Sequence, residues 1–104
     1  MNTSTNNFDS IEKIIFDDGV VIEAVDLHPE LDVMLIILNT KAVLHQKLSP
    51  YKRLSTASKE ELLRFELIGG GTGIHWPLLD EDLSLKGFLR DELLNVVKKD
   101  TLAA

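Results

Sequence analysis

Short apolar runs separated by turn-forming residues make up the first half of the chain. Residues 10–16 contain three isoleucines and a phenylalanine, a composition that is typical of a strand. The segment 17–19, Asp-Asp-Gly, follows, and an Asp-Gly pair between two apolar runs predicts a hairpin turn because both residues tolerate positive φ. Residues 20–25 are the predicted return strand, and residues 26–30 are a connector that contains Pro29.

The clearest strand signal is the run from Val33 to Leu38, in which all six residues are apolar. Residues 39–41 then predict a turn, and residues 42–48 predict a fourth strand that ends at Ser49 and Pro50. Turns this short cannot make parallel crossovers, so these strands are expected to form an antiparallel meander.

The second half of the chain has a different pattern, with a helix expected first. Ser58 and Glu61 match a capping box, in which each side chain bonds to the backbone amide of the other residue. The helix is predicted to run to about Ile68 and to stop at Gly69. Residues 74–76 predict a short strand, and residues 91–98 a terminal helix.

The predicted fold class is therefore α+β: an antiparallel sheet of about four to five short strands, followed by a capped helix and a short C-terminal helix. Residues 1–9 read as a disordered leader, residues 10–99 as one α+β domain, and residues 100–104 as a frayed tail. The polar start has no signal-peptide pattern, and the longest apolar run has six residues, so we expect a cytoplasmic protein with no membrane span.

Charge and cysteine content exclude several function classes. The chain has no cysteine, so a disulfide scaffold, a thiolate zinc site and a thiol nucleophile are excluded. The formal net charge of −6 disfavours nucleic-acid binding by the whole surface. The exception is residues 41–64, which carry six of the eleven cations, so weak nucleic-acid binding through this segment is one alternative. A solvated strand edge and helix face is the favoured interpretation.

The densest group of chemically versatile residues lies between positions 75 and 82. His75 is followed by Asp80, Glu81 and Asp82, and an imidazole with carboxylates can bind a divalent metal or act as a base with its orienting acid. The spacing matches no specific metal motif. The favoured interpretation is structural, with His75 bonded to the backbone, Trp76 in the core and an aspartate capping a turn.

Two residues outside this segment complete the candidate cluster. Tyr51 stands next to Lys52 and Arg53, and an aromatic ring beside cations can stack on nucleic acid. One aromatic ring is too few for such a site, so we favour a salt bridge from Arg53 to Asp80 or Asp82. The cluster thus comprises Tyr51, Arg53, His75, Trp76, Asp80, Glu81 and Asp82.

The glycines at positions 69, 70, 71 and 73 do not predict a phosphate site. Glycine-rich phosphate loops follow a strand and open a helix, whereas here a predicted helix precedes and a strand follows. Two interpretations stay open: the glycines let the backbone pass close to the sheet, or they form a mobile loop. No cofactor and no resident metal are predicted.

The segment from Tyr51 onward resembles a family. Tyr51, Arg53 and Leu54, the block "IHWP" at 74–77 and the block "LDEDLS" at 79–84 are similar to the small bacterial proteins called DUF2442, whose leading hairpin resembles "IEKIIFDDGVVIEAVDL" here. The resemblance covers about residues 11–89. It implies a fold like the N-terminal domain of a Nitrosomonas helix-turn-helix protein, gene neighbourhoods like those of toxin–antitoxin pairs, and no established activity.

Together these observations predict a non-enzymatic protein-interaction or regulatory module, of the antitoxin-like kind that the resemblance implies. Its partner would be another protein or a second copy. The rival hypothesis is a small enzyme or metal-binding module centred on His75, Asp80 and Asp82, which requires those side chains to converge in an accessible pocket.

Overall fold

The computed structural model describes the backbone of residues 6–103 and the side chains of residues 10–97. It confirms the α+β class, but with two antiparallel sheets of three strands each in place of one larger sheet. The helices are α1 (Asn6–Phe16), α2 (Lys52–Ser55), α3 (Lys59–Leu63) and α4 (Leu85–Ala103). The strands are β1 (Ile22–His28), β2 (Val33–Leu38), β3 (Val43–Gln46), β4 (Glu66–Ile68), β5 (Gly73–Trp76) and β6 (Glu81–Ser84).

The first sheet is the predicted antiparallel meander, in the order β1-β2-β3. On β2, Met34, Ile36 and Leu38 are buried and alternate with half-buried residues, so one face of the sheet lies on the core. β2 has the predicted bounds, and the turn at residues 39–41 is present, with Lys41 at φ 76°. Between β1 and β2 lies a short 3-10 helix, Pro29–Leu31.

The prediction of a strand at residues 10–16 and a hairpin at Asp17–Gly19 is wrong. The segment forms α1, and Gly19, at φ 72°, lies in the link from α1 to β1. Ile11 and Ile15 are four residues apart and pack on the core, while Ile14 is partly exposed. One-sided burial at this spacing is helical, and here it outweighs the strand preference of isoleucine.

The capping box of the second half is confirmed. The Ser58 hydroxyl accepts the Glu61 amide at 3.1 Å, and the Glu61 carboxylate accepts the Ser58 amide at 2.9 Å. The predicted end of the helix at Ile68 is wrong, because α3 stops at Leu63 and residues 66–68 form β4. Gly69 is accordingly not a helix-terminating residue but part of the turn between β4 and β5.

The second sheet is a smaller meander, in the order β4-β5-β6. Ile74 and Trp76 of β5 are fully buried, which places the predicted strand at 74–76 in the middle of this sheet. The two sheets share one apolar core, whose largest fully buried side chains include Trp76, Phe88 and Met34.

A backbone hydrogen bond joins the edge of the first sheet to the turn between β4 and β5. The Ile22 amide of β1 donates to the Gly71 carbonyl at 2.8 Å. Gly71 has φ 100°, and a Cβ atom there would lie 2.7 Å from the Ile22 carbonyl oxygen. Of the two interpretations of the glycine segment, the structure therefore supports a backbone that passes close to the sheet.

Helix α4 begins at Leu85, six residues before the predicted start. The Ser84 hydroxyl accepts the Gly87 amide at 3.0 Å, as an N-cap side chain does. Leu85 and Phe88 enter the core, and Lys86 contacts Glu12 of α1 at 3.1 Å. The side chains of the predicted leader, residues 1–9, and tail, residues 100–104, lie outside the described residues.

Candidate functional site

His75 lies between two carboxylates on the second sheet. In the strand register, His75 stands opposite Glu66 on β4 and opposite Asp82 on β6. The imidazole Nδ1 is bonded to the Asp82 carboxylate, and the His75 side chain is 32% exposed while that of Asp82 is 67% exposed. The three side chains therefore form one row across an accessible face of the sheet.

The carboxylates stabilise the charged form of the imidazole. The pKa of His75 is raised, chiefly by the hydrogen bond to Asp82, and further by the charges of Asp82, Glu66 and Asp80. Partial desolvation opposes this effect. In the protonated state, the row is an imidazolium flanked by carboxylates, which links all three strands of the sheet.

Trp76 is an interior residue of the fold. The indole is fully buried, and its Nε1–H donates to the Leu62 carbonyl at 3.0 Å. Leu62 lies in the last turn of α3, where helix carbonyls have no partner within the helix. The Phe65 ring lies 6.2 Å from the Trp76 ring, tilted by 53°. Trp76 thus lies in the core, as the structural interpretation predicted, and it also connects α3 to the second sheet.

Arg53 pairs with Asp80, one of the two partners predicted for it. The guanidinium donates to the Asp80 carbonyl, and its Nη1 lies 3.6 Å from the Asp80 carboxylate. Asp80 has φ 51° in the turn between β5 and β6, a conformation that aspartate tolerates better than most residues. Asp82 lies on β6 and bonds to His75, so it does not cap a turn; Glu81 lies opposite Trp76 in the strand register.

Tyr51 lines a groove to which His75 does not contribute. Its hydroxyl donates to the Gln46 side-chain oxygen at 3.3 Å. Burial is the main cause of its raised pKa, and the charges of Asp91 and Glu81 add to it. The groove has a volume of about 920 Å³ and is lined by β3, Tyr51 and α4, but not by His75, Asp80 or Asp82.

The cluster therefore divides into three local arrangements: the His75–Asp82 pair, the Arg53–Asp80 pair and the Tyr51 groove. An imidazole with an orienting carboxylate has the elements of a general base, but here it lies on an accessible sheet face. Within residues 10–97, no group of three or more histidine and acidic side chains is arranged to hold a metal ion.

A second histidine with two acidic neighbours did not stand out in the sequence. His28 Nε2 lies 3.0 Å from the Asp26 carboxylate, and its Nδ1 lies 3.7 Å from Glu30. The pKa of His28 is raised, chiefly by the hydrogen bond to Asp26. The signal was the spacing of Asp26 and His28, because alternate residues of a strand point to the same face; Glu30 lies in the 3-10 helix that follows β1.

The basic segment 41–64 has much of its charge neutralised. Lys41 contacts Glu23 at 2.7 Å, Arg64 contacts Glu60 at 3.7 Å, and Arg53 is held by Asp80. These ion pairs reduce the charge available to phosphates, which weakens the nucleic-acid alternative.

The fold and these sites define a class: small α+β proteins in which two three-stranded meanders share a core with a long C-terminal helix. Residues 22–92 match the family described as "Protein of unknown function (DUF2442)", and the chain belongs to this family. The match begins at β1, so α1 lies outside it, and the family hairpin inferred at residues 11–27 is corrected accordingly. No curated protein matches the chain.

Two solved structures share this fold. An uncharacterised protein from Chromobacterium violaceum, solved by NMR, is 23% identical with a TM-score of 0.63, over 86% of this chain and 82% of the other. A crystal structure of a protein of unknown function from Rhodospirillum rubrum is 25% identical with a TM-score of 0.61, over 69% of this chain and 87% of the other. In the described residues, no helix is long and apolar enough to cross a bilayer.

Proposed function

We propose that this protein is a non-enzymatic protein-interaction module that binds through residues 93–97 of α4. The observation that carries the proposal is a cluster of exposed apolar side chains, which we term the α4 surface. It consists of Leu93, Leu94, Val96 and Val97, with exposures of 58%, 51%, 48% and 54%. Single exposed apolar residues are ordinary, but a contiguous group on one element is typical of a protein-binding surface.

These four side chains lie outside the buried core. The buried residues of α4, Leu85 and Phe88, lie in its first turns, and every residue from Leu93 to Val97 is exposed. A helix that only completes the core would carry polar residues along its exposed part. Leu31, which is 68% exposed, lines the same groove as Leu94 and extends the apolar area towards the first sheet.

Self-association provides the first test, because it requires only this chain. Sedimentation of the full chain over a range of concentrations would compare the wild type with Leu93→Glu/Val96→Glu. The matched control is Leu78→Glu, since Leu78 is 56% exposed but lies between β5 and β6. We expect association in the wild type and the control, and its loss in the α4 variant.

If the wild type is monomeric throughout, the same three proteins serve as affinity baits. The proposal then requires a protein that the wild type and Leu78→Glu retain and Leu93→Glu/Val96→Glu loses. Monomeric behaviour together with identical capture by all three baits would contradict the proposal. Circular dichroism of each variant establishes that a loss of binding is not a loss of fold.

A further inference from the structure

Strand β3 has a free hydrogen-bonding edge. It is a terminal strand of the first sheet, and among the described residues no strand pairs with its outer side. The Leu38 amide donates to the Ala42 carbonyl at 2.9 Å, which fixes the alternation of bonded and non-bonded pairs along the hairpin. The backbone amides and carbonyls of Leu44 and Gln46 therefore form hydrogen bonds with β2. Those of Val43 and His45 point away from the sheet.

Side chains along this edge alternate in the same way. Leu44 and Gln46 are 6% and 8% exposed and face the core, whereas Val43, His45 and Lys47 lie on the outer face. The groove of about 920 Å³ lies beside the end of this strand, with Tyr51, Pro50 and Leu94 among its lining residues. An added strand would therefore lie beside the basic side chain of Lys47 on its outer face and beside the partly apolar groove on its inner face.

The charges of the edge disfavour a second copy as the added strand. In a symmetric antiparallel pair that uses Val43 and His45, residue 41 of one copy lies opposite residue 47 of the other. This segment, residues 41–47, has no acidic side chain, so a second copy would bring no opposite charge to Lys47. Lys41 is already paired with Glu23, so the charge that favours an acidic partner is that of Lys47, which forms no ion pair within the described part of the chain although the Asp32 carboxylate lies near it.

We propose that the β3 edge binds an extended segment of another protein as an antiparallel fourth strand, and that this segment alternates acidic and apolar residues. Its acidic side chains lie beside His45 and Lys47, and its apolar side chains point towards Leu94 and Tyr51 in the groove. Main-chain bonds supply affinity in this mode of recognition, and alternate side chains supply specificity. This inference rests on the proposed function, since it names a partner class for an interaction module.

A synthetic peptide of four Glu-Val repeats, blocked at both ends, tests the inference on the full chain. An amide-resolved NMR titration should shift Val43, His45 and Lys47. In the antiparallel arrangement the Glu amides face β3 and the Val amides face solvent. Methylating the Glu nitrogens should therefore weaken binding by about ten-fold or more, because each peptide then loses several main-chain bonds. Methylating the Val nitrogens should change the affinity by less than about two-fold.

A charge reversal at Lys47 tests separately whether the β3 edge prefers an acidic peptide. Lys47→Glu should weaken binding of the Glu-Val peptide by about two- to five-fold, the size of one cross-strand charge pair, and strengthen binding of a Lys-Val peptide. Lys59→Glu, the same change on α3, should leave both affinities unaltered. Absence of binding at millimolar peptide, equal loss with both methylated peptides, or loss only with the methylated Val nitrogens would each overturn the inference.

The two proposals can fail independently. The peptide titration does not use Leu93 or Val96, so Leu93→Glu/Val96→Glu should still bind the Glu-Val peptide. If this variant still binds the peptide and its self-association is unchanged, the proposal for the α4 surface is contradicted and the proposal for the β3 edge is supported. Association that depends on Leu93 and Val96, without any peptide binding, would contradict only the β3 edge.

Discussion

Replacing Gly71 by alanine should destabilise the protein more than the same change at its neighbour Gly70. Both glycines have positive φ, 100° at Gly71 and 66° at Gly70. They differ in their surroundings: a Cβ atom at Gly71 meets the Ile22 carbonyl oxygen at 2.7 Å and the Val21 Cβ at 2.9 Å, whereas a Cβ atom at Gly70 meets nothing within 4 Å. Comparing the two alanine variants thus separates the energetic cost of backbone strain from that of steric overlap.

The magnitudes follow from these contacts. A left-handed conformation costs an L-residue about 1–2 kcal/mol, which is the whole effect expected for Gly70→Ala. At Gly71 the overlap must also displace the backbone that accepts the 2.8 Å bond from the Ile22 amide. Losing that bond adds about 0.5–1.5 kcal/mol, and the repacking of Val21 adds further cost. Gly71→Ala should therefore reduce the free energy of unfolding by about 2–4 kcal/mol.

Urea unfolding measures both variants. Trp76 is the only tryptophan and is fully buried, so its fluorescence reports on the core, and circular dichroism provides a second probe. For a chain of this size, the extra loss in Gly71→Ala corresponds to a melting temperature at least about 4 °C below that of Gly70→Ala. If the two variants agree within about 0.5 kcal/mol, the backbone contact between the sheets does not constrain position 71, and the reasoning is wrong.

Three further variants test the helix and the sheet that surround His75. Ser58→Ala removes the N-cap of α3 and should cost about 0.5–2 kcal/mol in urea unfolding; a cost near zero would mean that the cap is redundant. Trp76→Phe leaves the buried Leu62 carbonyl without its donor and should cost about 1–3 kcal/mol plus a packing loss, and an unchanged midpoint would refute this role. Because the pKa of His75 is raised above its usual 6.5, its stabilising contribution is complete below that value and is lost as the pH rises through the raised pKa. Urea midpoints measured from about pH 5 to about pH 9 should therefore fall more steeply in the wild type than in Asp82→Asn, and parallel curves would contradict the pairing.

Local signals determined which elements could be predicted. β2 is a bounded apolar run, and the Ser58–Glu61 pair is a local hydrogen-bonding motif, so both could be identified from neighbouring residues alone. Residues 10–16 have the isoleucine content that is common in strands, whereas the spacing of Ile11 and Ile15, which pack on the core, is helical. The deciding factor is packing against α4, which is remote in sequence.

β4 could not be predicted for a different reason. All three of its residues are exposed, so no alternation of buried and exposed positions marks it as a strand. Its conformation depends on pairing with β5, where Glu66 stands opposite His75. The same register places Asp82 beside His75, and a register is a property of two strands together. Sequence could therefore propose His75 with its acidic neighbours, but could not select Asp82 over Asp80.

The division into two meanders has a consequence for folding. Strand pairing is confined to residues 22–46 in one sheet and 66–84 in the other, so each sheet closes only short loops. Short loops cost little entropy, which favours rapid folding for a protein with this much strand. A three-stranded meander, however, leaves its apolar face exposed until something covers it. Because both sheets contribute to one core, full burial of Trp76 depends on the packing of each sheet against the other elements and not on strand pairing alone.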